Sequence, residues 1–414
     1  MGNRFKFYSR LIYGILIMPI VLSMPRMRRK MVFGAWFGNN FSDNPKYFFR
    51  YMLSMGGWDC IWVGDSHLKA EVEAIKGAKF ASRGSLLAFW HCLTAKYYVN
   101  NIIWMDDIMA IPTCGRIIQI NLWHGTALKR IGGRQYNGHG AVSKTLDARN
   151  LIRRTVGETL VKVYNYLYPM SAYGTSGSEK NANVLVESWP QIFAHERLVC
   201  AGQPRCDFLV RNSNDTDFVR ELKHRIAMLI GAPENKEWYL YLPTWRHDAK
   251  LFFSFANSGM RSAYERVLAD NNAIIIEKQH PKVLAENPSL GESNGPFFVI
   301  SPDEAKMLDV QELLLVSGRL ITDYSSCYFD FELLNRPIVH FDYDYEQYVN
   351  SDSGVEYEPT AVAGGPVVHT EDELCRCLGL SDGALLTAKG AYADSLINCE
   401  TGNSCAALYK ILPK

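Results

Sequence analysis

The sequence predicts an α/β protein in two halves facing one cleft, and three observations carry that prediction. From Met31 onward, short β-rich runs alternate with helical patterns, the grammar of parallel-sheet folds. A polar, turn-rich segment, Arg211-Asn212-Ser213-Asn214-Asp215, interrupts this series, and a second series follows it. The 414 residues, 48% hydrophobic and 12% aromatic, suffice for two cores of ordinary domain size.

The amino terminus is distinct. Residues 11–24 form a nearly uninterrupted apolar run, with Arg4, Lys6 and Arg10 before it and Arg26, Arg28, Arg29 and Lys30 after it. A helix rises about 1.5 Å per residue, so the run covers roughly 20 Å against a hydrocarbon core of about 30 Å. It is too short to span. Positive charge directly after it and the lack of a small-x-small cleavage site argue against a signal peptide. Residues 1–30 are therefore expected to form a membrane-associating helix, kinked at Pro19, with its cations among anionic headgroups on the cytoplasmic face of the membrane. A buried first helix of the core is the alternative.

Between 31 and 212, strands are expected at 31–37, 59–63, 101–104, 116–122, 172–175 and 197–201, with helices at 44–55, 85–99 and 178–188. The second domain, 213–386, opens with an amphipathic helix at 216–230. Strands are expected there at 238–242, 273–277, 297–300, 319–322 and 337–341, with helices at 260–269, 304–312 and 325–334. Residues 387–414 read as a final helix.

Forty-four basic residues against forty-three acidic ones leave a net charge of +1, so no global field draws the chain to nucleic acid. The ten cysteines lack the C-x-x-C pairs of a zinc site, and a chain of this length needs no disulfide staples, which fits a reducing cytoplasm. No P-loop or dinucleotide fingerprint is present, and neither a metal nor a cofactor is expected. Asp342-Tyr343-Asp344 has the D-x-D form of some metal sites, but so short a pattern is often accidental.

Three constellations could carry chemistry. In Asn121-Leu122-Trp123-His124-Gly125-Thr126-Ala127-Leu128-Lys129-Arg130, a strand ends in a tight His-Gly turn. Ligands of doubly wound folds bind at carboxyl ends of strands, where an imidazole with a near-neutral pKa can take a proton from a hydroxyl. His124 is either that base or a structural histidine. In Thr322-Asp323-Tyr324-Ser325-Ser326, a strand runs into small hydroxyl residues opening a helix, whose free N–H groups and dipole favour phosphate. Capping of the helix by Asp323 or Ser325 is the plainer reading. The third group is basic and also follows strands: Arg246 in Pro243-Thr244-Trp245-Arg246, and Lys278 and His280 in Lys278-Gln279-His280-Pro281.

Read together and in order, these segments resemble the CDP-glycerol:poly(glycerophosphate) glycerophosphotransferase family of teichoic-acid and capsule polymerases. The run from Phe41 to Tyr51 (FSDNPKYFFRY) resembles its early Asn-Pro-Lys segment, and Trp123-His124-Gly125-Thr126 with Leu128-Lys129 its W-H-G-T-x-L-K signature. Gly202-Gln203-Pro204-Arg205-Cys206-Asp207 is similar to its G-x-P-R-x-D, although Cys206 stands where Asn is frequent. The long extensions of many such polymerases are lacking.

The resemblance implies a GT-B-like pair of Rossmann-type domains, the carboxyl-terminal one holding CDP and the amino-terminal one the acceptor. It implies transfer of glycerol phosphate, or a related polyol phosphate, from CDP-glycerol to a lipid-linked or polymeric acceptor, with release of CMP. His124 becomes the base, and His280, Arg246, Thr322, Ser325 and Ser326 become donor-phosphate ligands. Lys278, Asp323, Gly125, Thr126 and Lys129 join the substrate-binding set. The expected setting is the cytoplasmic membrane surface, with no nucleic acid and with a second copy of the chain as a candidate partner. A GT-B glycosyltransferase using a nucleotide sugar and a non-catalytic polymer-binding protein at the membrane are the rival readings.

Overall fold

A computed structural model describes residues 2–134, 151–244, 246, 252–287, 293–349 and 354–413. The chain divides into two compact units, the first comprising Met1–His124, Ile131–Arg205 and Asn403–Lys414, the second Gly125–Arg130 and Cys206–Gly402.

The first unit is built on seven parallel strands: β1 (Met27–Phe33), β2 (Asp59–Gly64), β3 (Lys79–Ser82), β4 (Ala95–Asn100), β5 (Ile118–Asn121), β6 (Ala172–Ser176) and β7 (Leu198–Cys200). Their order, β3-β2-β1-β4-β5-β6-β7, is doubly wound, with the direction of winding reversing between β1 and β4. Side chains alternate across each strand, so both faces must be covered by apolar layers. Met31, Phe33 and Trp62 meet Phe48, Phe49 and the carboxyl-terminal helix Ser404–Ile411 on one face. On the other, Val32, Ile61 and Tyr98 meet Leu11, Val21, Leu167 and Tyr168.

Leu11 and Val21 belong to the helix Gly2–Ser23, which contains Pro19. That helix is docked on the first unit. Arg10 pairs with Asp106 at 2.5 Å, and Arg116 Nη1 donates to the carbonyls of Val21 and Leu22 at 2.6 Å each. A different stripe, with Phe5, Ile12 and Leu16, is exposed. Strand β1 starts at Met27, inside the segment assigned to the anchor from sequence. The strand expected at 101–104 lies at β4 instead, because the run Tyr97-Tyr98-Val99 extends directly from the short helix Leu86–Thr94. Cys60, Cys92 and Cys114 of this unit are free thiols. Cys200 is disulfide-bonded, a departure from the all-thiol chain expected.

The second unit has six parallel strands: β8 (Glu237–Leu242), β9 (Ala273–Glu277), β10 (Phe297–Val299), β11 (Arg319–Thr322), β12 (Ile338–Phe341) and β13 (Val367–Val368). The order β10-β9-β8-β11-β12-β13 reverses between β8 and β11. Along β8 the same alternation sends Trp238 and Leu240 to one core and Tyr239 and Tyr241 to the other. The helix Thr216–Ile230 forms as expected from its apolar spacing. Asp215 Oδ1 accepts from Phe218 N at 3.0 Å at its start, and Gly231 ends it in the left-handed region at φ +67°. The segment Gly125–Arg130 is tied into this unit by backbone bonds, Glu356 N to Leu128 O at 2.7 Å and Arg130 N to Gly354 O at 3.3 Å. Cys327, Cys375 and Cys377 are free thiols, whereas Cys399 is disulfide-bonded.

Candidate functional site

In the first unit, β5 delivers a tight turn at its carboxyl end. Asn121 Oδ1 accepts from Trp123 N at 2.9 Å, and Trp123 adopts φ +50°, a left-handed conformation uncommon for a bulky residue. Gly125 follows at φ +149°, where a side chain would be strained. The turn presents the half-buried His124 between two indoles, with Trp123 stacked at 4.4 Å and Trp36 tilted at 5.2 Å between ring centroids. Burial pushes the His124 pKa down, Asp43 pulls it up, Arg205 lowers it, and the net shift is downward. The imidazole is therefore neutral near pH 7, the form that accepts a proton.

In the second unit, the ends of β8, β11 and β12 converge. Arg246, past β8, is 8% exposed. Its Nε and Nη2 donate to the two oxygens of Asp344 at 2.8 and 2.9 Å, while Nη1 donates to Asp323 Oδ2 at 2.6 Å and Thr244 O at 2.5 Å. The guanidinium fork expected to meet phosphate is thus occupied by Asp344. Asp323 also accepts from Thr244 N at 2.8 Å, so its carboxylate braces the β8 loop instead of capping the helix after β11. Tyr324 and Tyr348 stack at 3.5 Å beside this pair, and Arg246 lies 5.5 Å above the Tyr324 ring.

Lys129 joins the same cluster. Its ammonium sits 4.5 Å over the Tyr348 ring, and burial pushes its pKa down while Asp323 opposes. Thr126 is buried, and its hydroxyl makes no hydrogen bond among the described residues. The same is true of the hydroxyls of Tyr324 and Tyr348 and of Asp342 Oδ1. Burial, with Asp323 and Asp344 nearby, pushes the Asp342 carboxyl up to about 8. Among the described residues, no group of three His, Cys, Asp or Glu side chains is arranged to hold a metal.

Thr322 is fully buried, and its hydroxyl donates to Leu242 O at 2.6 Å, joining β11 to β8. Ser325 and Ser326 are partly exposed beyond β11. Ser326 stands at the N-cap position of the helix Cys327–Glu332 but makes no capping bond with its side chain. Beyond β9, Lys278 is partly exposed with its pKa pushed down by burial against the opposing pull of Asp309, and His280 is exposed. Glu277 sets this loop: it accepts from Gln279 Nε2 at 2.8 Å, Ser254 Oγ at 3.2 Å and Phe255 N at 3.2 Å, and burial lifts its carboxyl to about 7.

The fold gathers Lys129, Arg246 and Asp323 from their separate motifs. Tyr324, Tyr348 and Asp344 complete the cluster, and the acidic pair following β12 is the sequence signal for the last of them. Trp245 lies outside the described residues.

Residues 16–398 match the model of the CDP-Glycerol:Poly(glycerophosphate) glycerophosphotransferase family. The chain belongs to this family. It is 29% identical over 393 residues to the teichoic acid poly(glycerol phosphate) polymerase of Bacillus subtilis, covering 92% of this chain and 48% of that protein. The chain thus spans about half the length of that relative. It is 24% identical to the teichoic acid glycerol-phosphate transferase of Staphylococcus aureus, over 94% of this chain and 95% of the relative. The solved structure of the wall teichoic acid polymerase TagF superposes with a TM-score of 0.73 at 22% identity, covering 99% of this chain and 98% of that one. A TagF variant soaked with CDPG superposes at 0.69 and 21% identity, covering the same shares of the two chains. These likenesses identify the fold as the GT-B-like pair of α/β domains that the sequence implied.

Proposed function

We propose that this glycerophosphotransferase-family chain transfers glycerol phosphate from CDP-glycerol to a hydroxyl of a growing teichoic-acid or related cell-surface polymer. The observation that carries the reading is the match of the family model across residues 16–398, motif-bearing strand ends included. The acceptor oxygen attacks the phosphorus bonded to glycerol. As that P–O bond forms, the bond from the same phosphorus to the bridging oxygen breaks, CMP departs with the electron pair, and His124 takes the acceptor proton.

The leaving group is already good, so catalysis rests on positioning and on neutralising phosphoryl charge. Lys129, Lys278, His280 and the hydroxyls of Ser325 and Ser326 supply the donor-binding groups. Arg246 and Asp323 act by fixing the β8 and β11 loops. Thr322 contributes through the sheet, and Gly125 and Thr126 through the turn.

The reaction takes place at the cytoplasmic membrane surface. Supporting this are the exposed Phe5, Ile12 and Leu16 of the first helix, and Leu86, Leu87 and Trp90 on the helix Leu86–Thr94. Both helices pack into one apolar layer on the same face of the first sheet, and Arg28 and Arg29 are exposed at the start of β1. Such surfaces bind anionic bilayers peripherally.

The test is mass analysis of products after incubation with CDP-glycerol, CDP-ribitol and a UDP-sugar, each with a lipid-linked acceptor. CMP release with acceptor growth by one glycerol phosphate supports the reading, and UDP release from the sugar nucleotide contradicts it.

A further inference from the structure

The strained turn that carries His124 is held by side chains from two distant segments. Three successive carbonyls, those of Leu122, Trp123 and His124, are each bound. Asn44 Nδ2 reaches Leu122 O at 3.1 Å and Trp123 O at 3.2 Å, and Arg205 Nη1 donates to His124 O at 2.8 Å. The two clamping residues are joined to each other, because Arg205 N donates to Asn44 Oδ1 at 3.1 Å.

Asp43 completes the arrangement. Its Oδ1 accepts from Arg205 Nη1 at 2.8 Å, and its Oδ2 accepts from Asn101 Nδ2 at 3.0 Å, just beyond β4. Both members of this ion pair are buried, with side chains 8% and 7% exposed. Asp43 itself has φ +63°, a left-handed conformation that few non-glycine residues adopt. Backbone strain at Asp43 and at Trp123, on the two sides of one clamp, is of the kind held in place where geometry must be fixed.

We propose that Asp43 and Arg205 are positioning residues of the transfer reaction, their buried ion pair holding the His124 backbone and thereby the imidazole that takes the acceptor proton. The proposal rests on the reading of His124 as the base. A salt bridge serving only stability would be a poor choice here, since a buried pair is often no more stabilising than apolar residues of the same volume. The two charges also act on the ring in opposite senses. Asp43 favours the imidazolium and Arg205 disfavours it, and they are the charged groups acting on the ring among the described residues, beside the uncharged Trp36 and Trp123.

The experiment compares the full-length protein with Asp43→Asn, Arg205→Gln, Arg205→Lys and His124→Ala, measuring CMP release from CDP-glycerol, the KM for that donor, Tm, and kcat/KM against pH. Asp43→Asn and Arg205→Gln are expected to lower kcat about 10-fold to 100-fold with KM within about threefold, as for loss of alignment in the transition state. The acidic limb of the profile moves to lower pH in Asp43→Asn and to higher pH in Arg205→Gln, and Arg205→Lys restores part of the loss. If Arg205→Gln does not fold, the near-isosteric Asp43→Asn carries the test through its own limb. Folded variants with unchanged kcat and unmoved limbs, beside an inactive His124→Ala, overturn the positioning role alone. Full turnover in His124→Ala overturns the base assignment and this inference together.

Discussion

Asp344 grips Arg246 through two parallel hydrogen bonds, Nε to Oδ2 at 2.8 Å and Nη2 to Oδ1 at 2.9 Å. With Asp323 on Nη1, the cation is enclosed by two carboxylates. Removing Asp344 leaves Nε and Nη2 of a buried guanidinium without these hydrogen bonds while Asp323 still balances its charge, which costs about 1–3 kcal/mol. Asp344→Ala is therefore expected to lose about that much in chemical denaturation. Arg246→Lys should not rescue the site, because an ammonium cannot reproduce the planar fork. A loss below about 1 kcal/mol in Asp344→Ala would contradict the structural role.

The hydroxyls near β11 divide into a buried one, on Thr322, and two on the partly exposed Ser325 and Ser326. Thr322 donates to Leu242 O from a fully buried position, so Thr322→Val strands that carbonyl and costs about 1–3 kcal/mol, with the KM for CDP-glycerol unchanged. Ser325→Ala and Ser326→Ala are expected to do the reverse, raising KM roughly tenfold through a lost bond to a charged ligand while leaving Tm in place. Steady-state kinetics with thermal melts on the three variants checks the division.

The legible parts of this molecule were the ones written locally. Strands β8, β9, β11 and β12 are apolar runs ended by turn residues, and His124, Lys278 and Asp323 could be placed at strand ends from that pattern. Partnership could not be read. Nothing in the spacing of Arg246 and Asp344 says that one occupies the other's hydrogen-bonding face, since the two meet only when β8 and β12 enter one sheet. Asp43 and Arg205 sat in recognised motifs, yet their link to His124 is a product of tertiary folding. Strand β4 was missed because the helix Leu86–Thr94 passes into it without a turn signal.

Glu332 makes stability depend on pH. Its buried carboxyl has no hydrogen-bond partner for either oxygen among the described residues, and burial pushes it up to about 8 despite the opposing charge of Lys389. The unfolded chain releases this proton near pH 4.3, so between roughly pH 4 and 8 the folded state binds more protons. The contribution is complete below that window and is lost as pH rises through it. Glu332→Gln should flatten the decline and raise Tm at pH 8 by about 3 °C or more, a shift that corresponds to roughly 1 kcal/mol in a unit of this size. Asp342, lifted for the same reason, keeps part of the slope in place. Identical Tm profiles for variant and parent would refute the assignment.

Membrane contact is best tested without deleting the first helix, because its removal would uncover the core around Leu11 and Val21. Exchanging exposed Phe5, Ile12 and Leu16 for Ser leaves that packing intact. The triple variant should sediment with anionic vesicles at least about tenfold more weakly, as expected for lost apolar insertion, while retaining CMP release on a soluble acceptor analogue. Undiminished sedimentation would remove this stripe from the membrane-facing surface.

The most direct measurement is single-turnover CMP release from CDP-glycerol in the presence of acceptor, by the parent protein and by His124→Ala, with donor affinity determined separately. The account predicts acceptor-dependent release by the parent and a loss of about 10²-fold to 10⁴-fold in the variant, with donor affinity unchanged. No acceptor-dependent CMP release by the parent, or an equal rate in a folded His124→Ala, would contradict it.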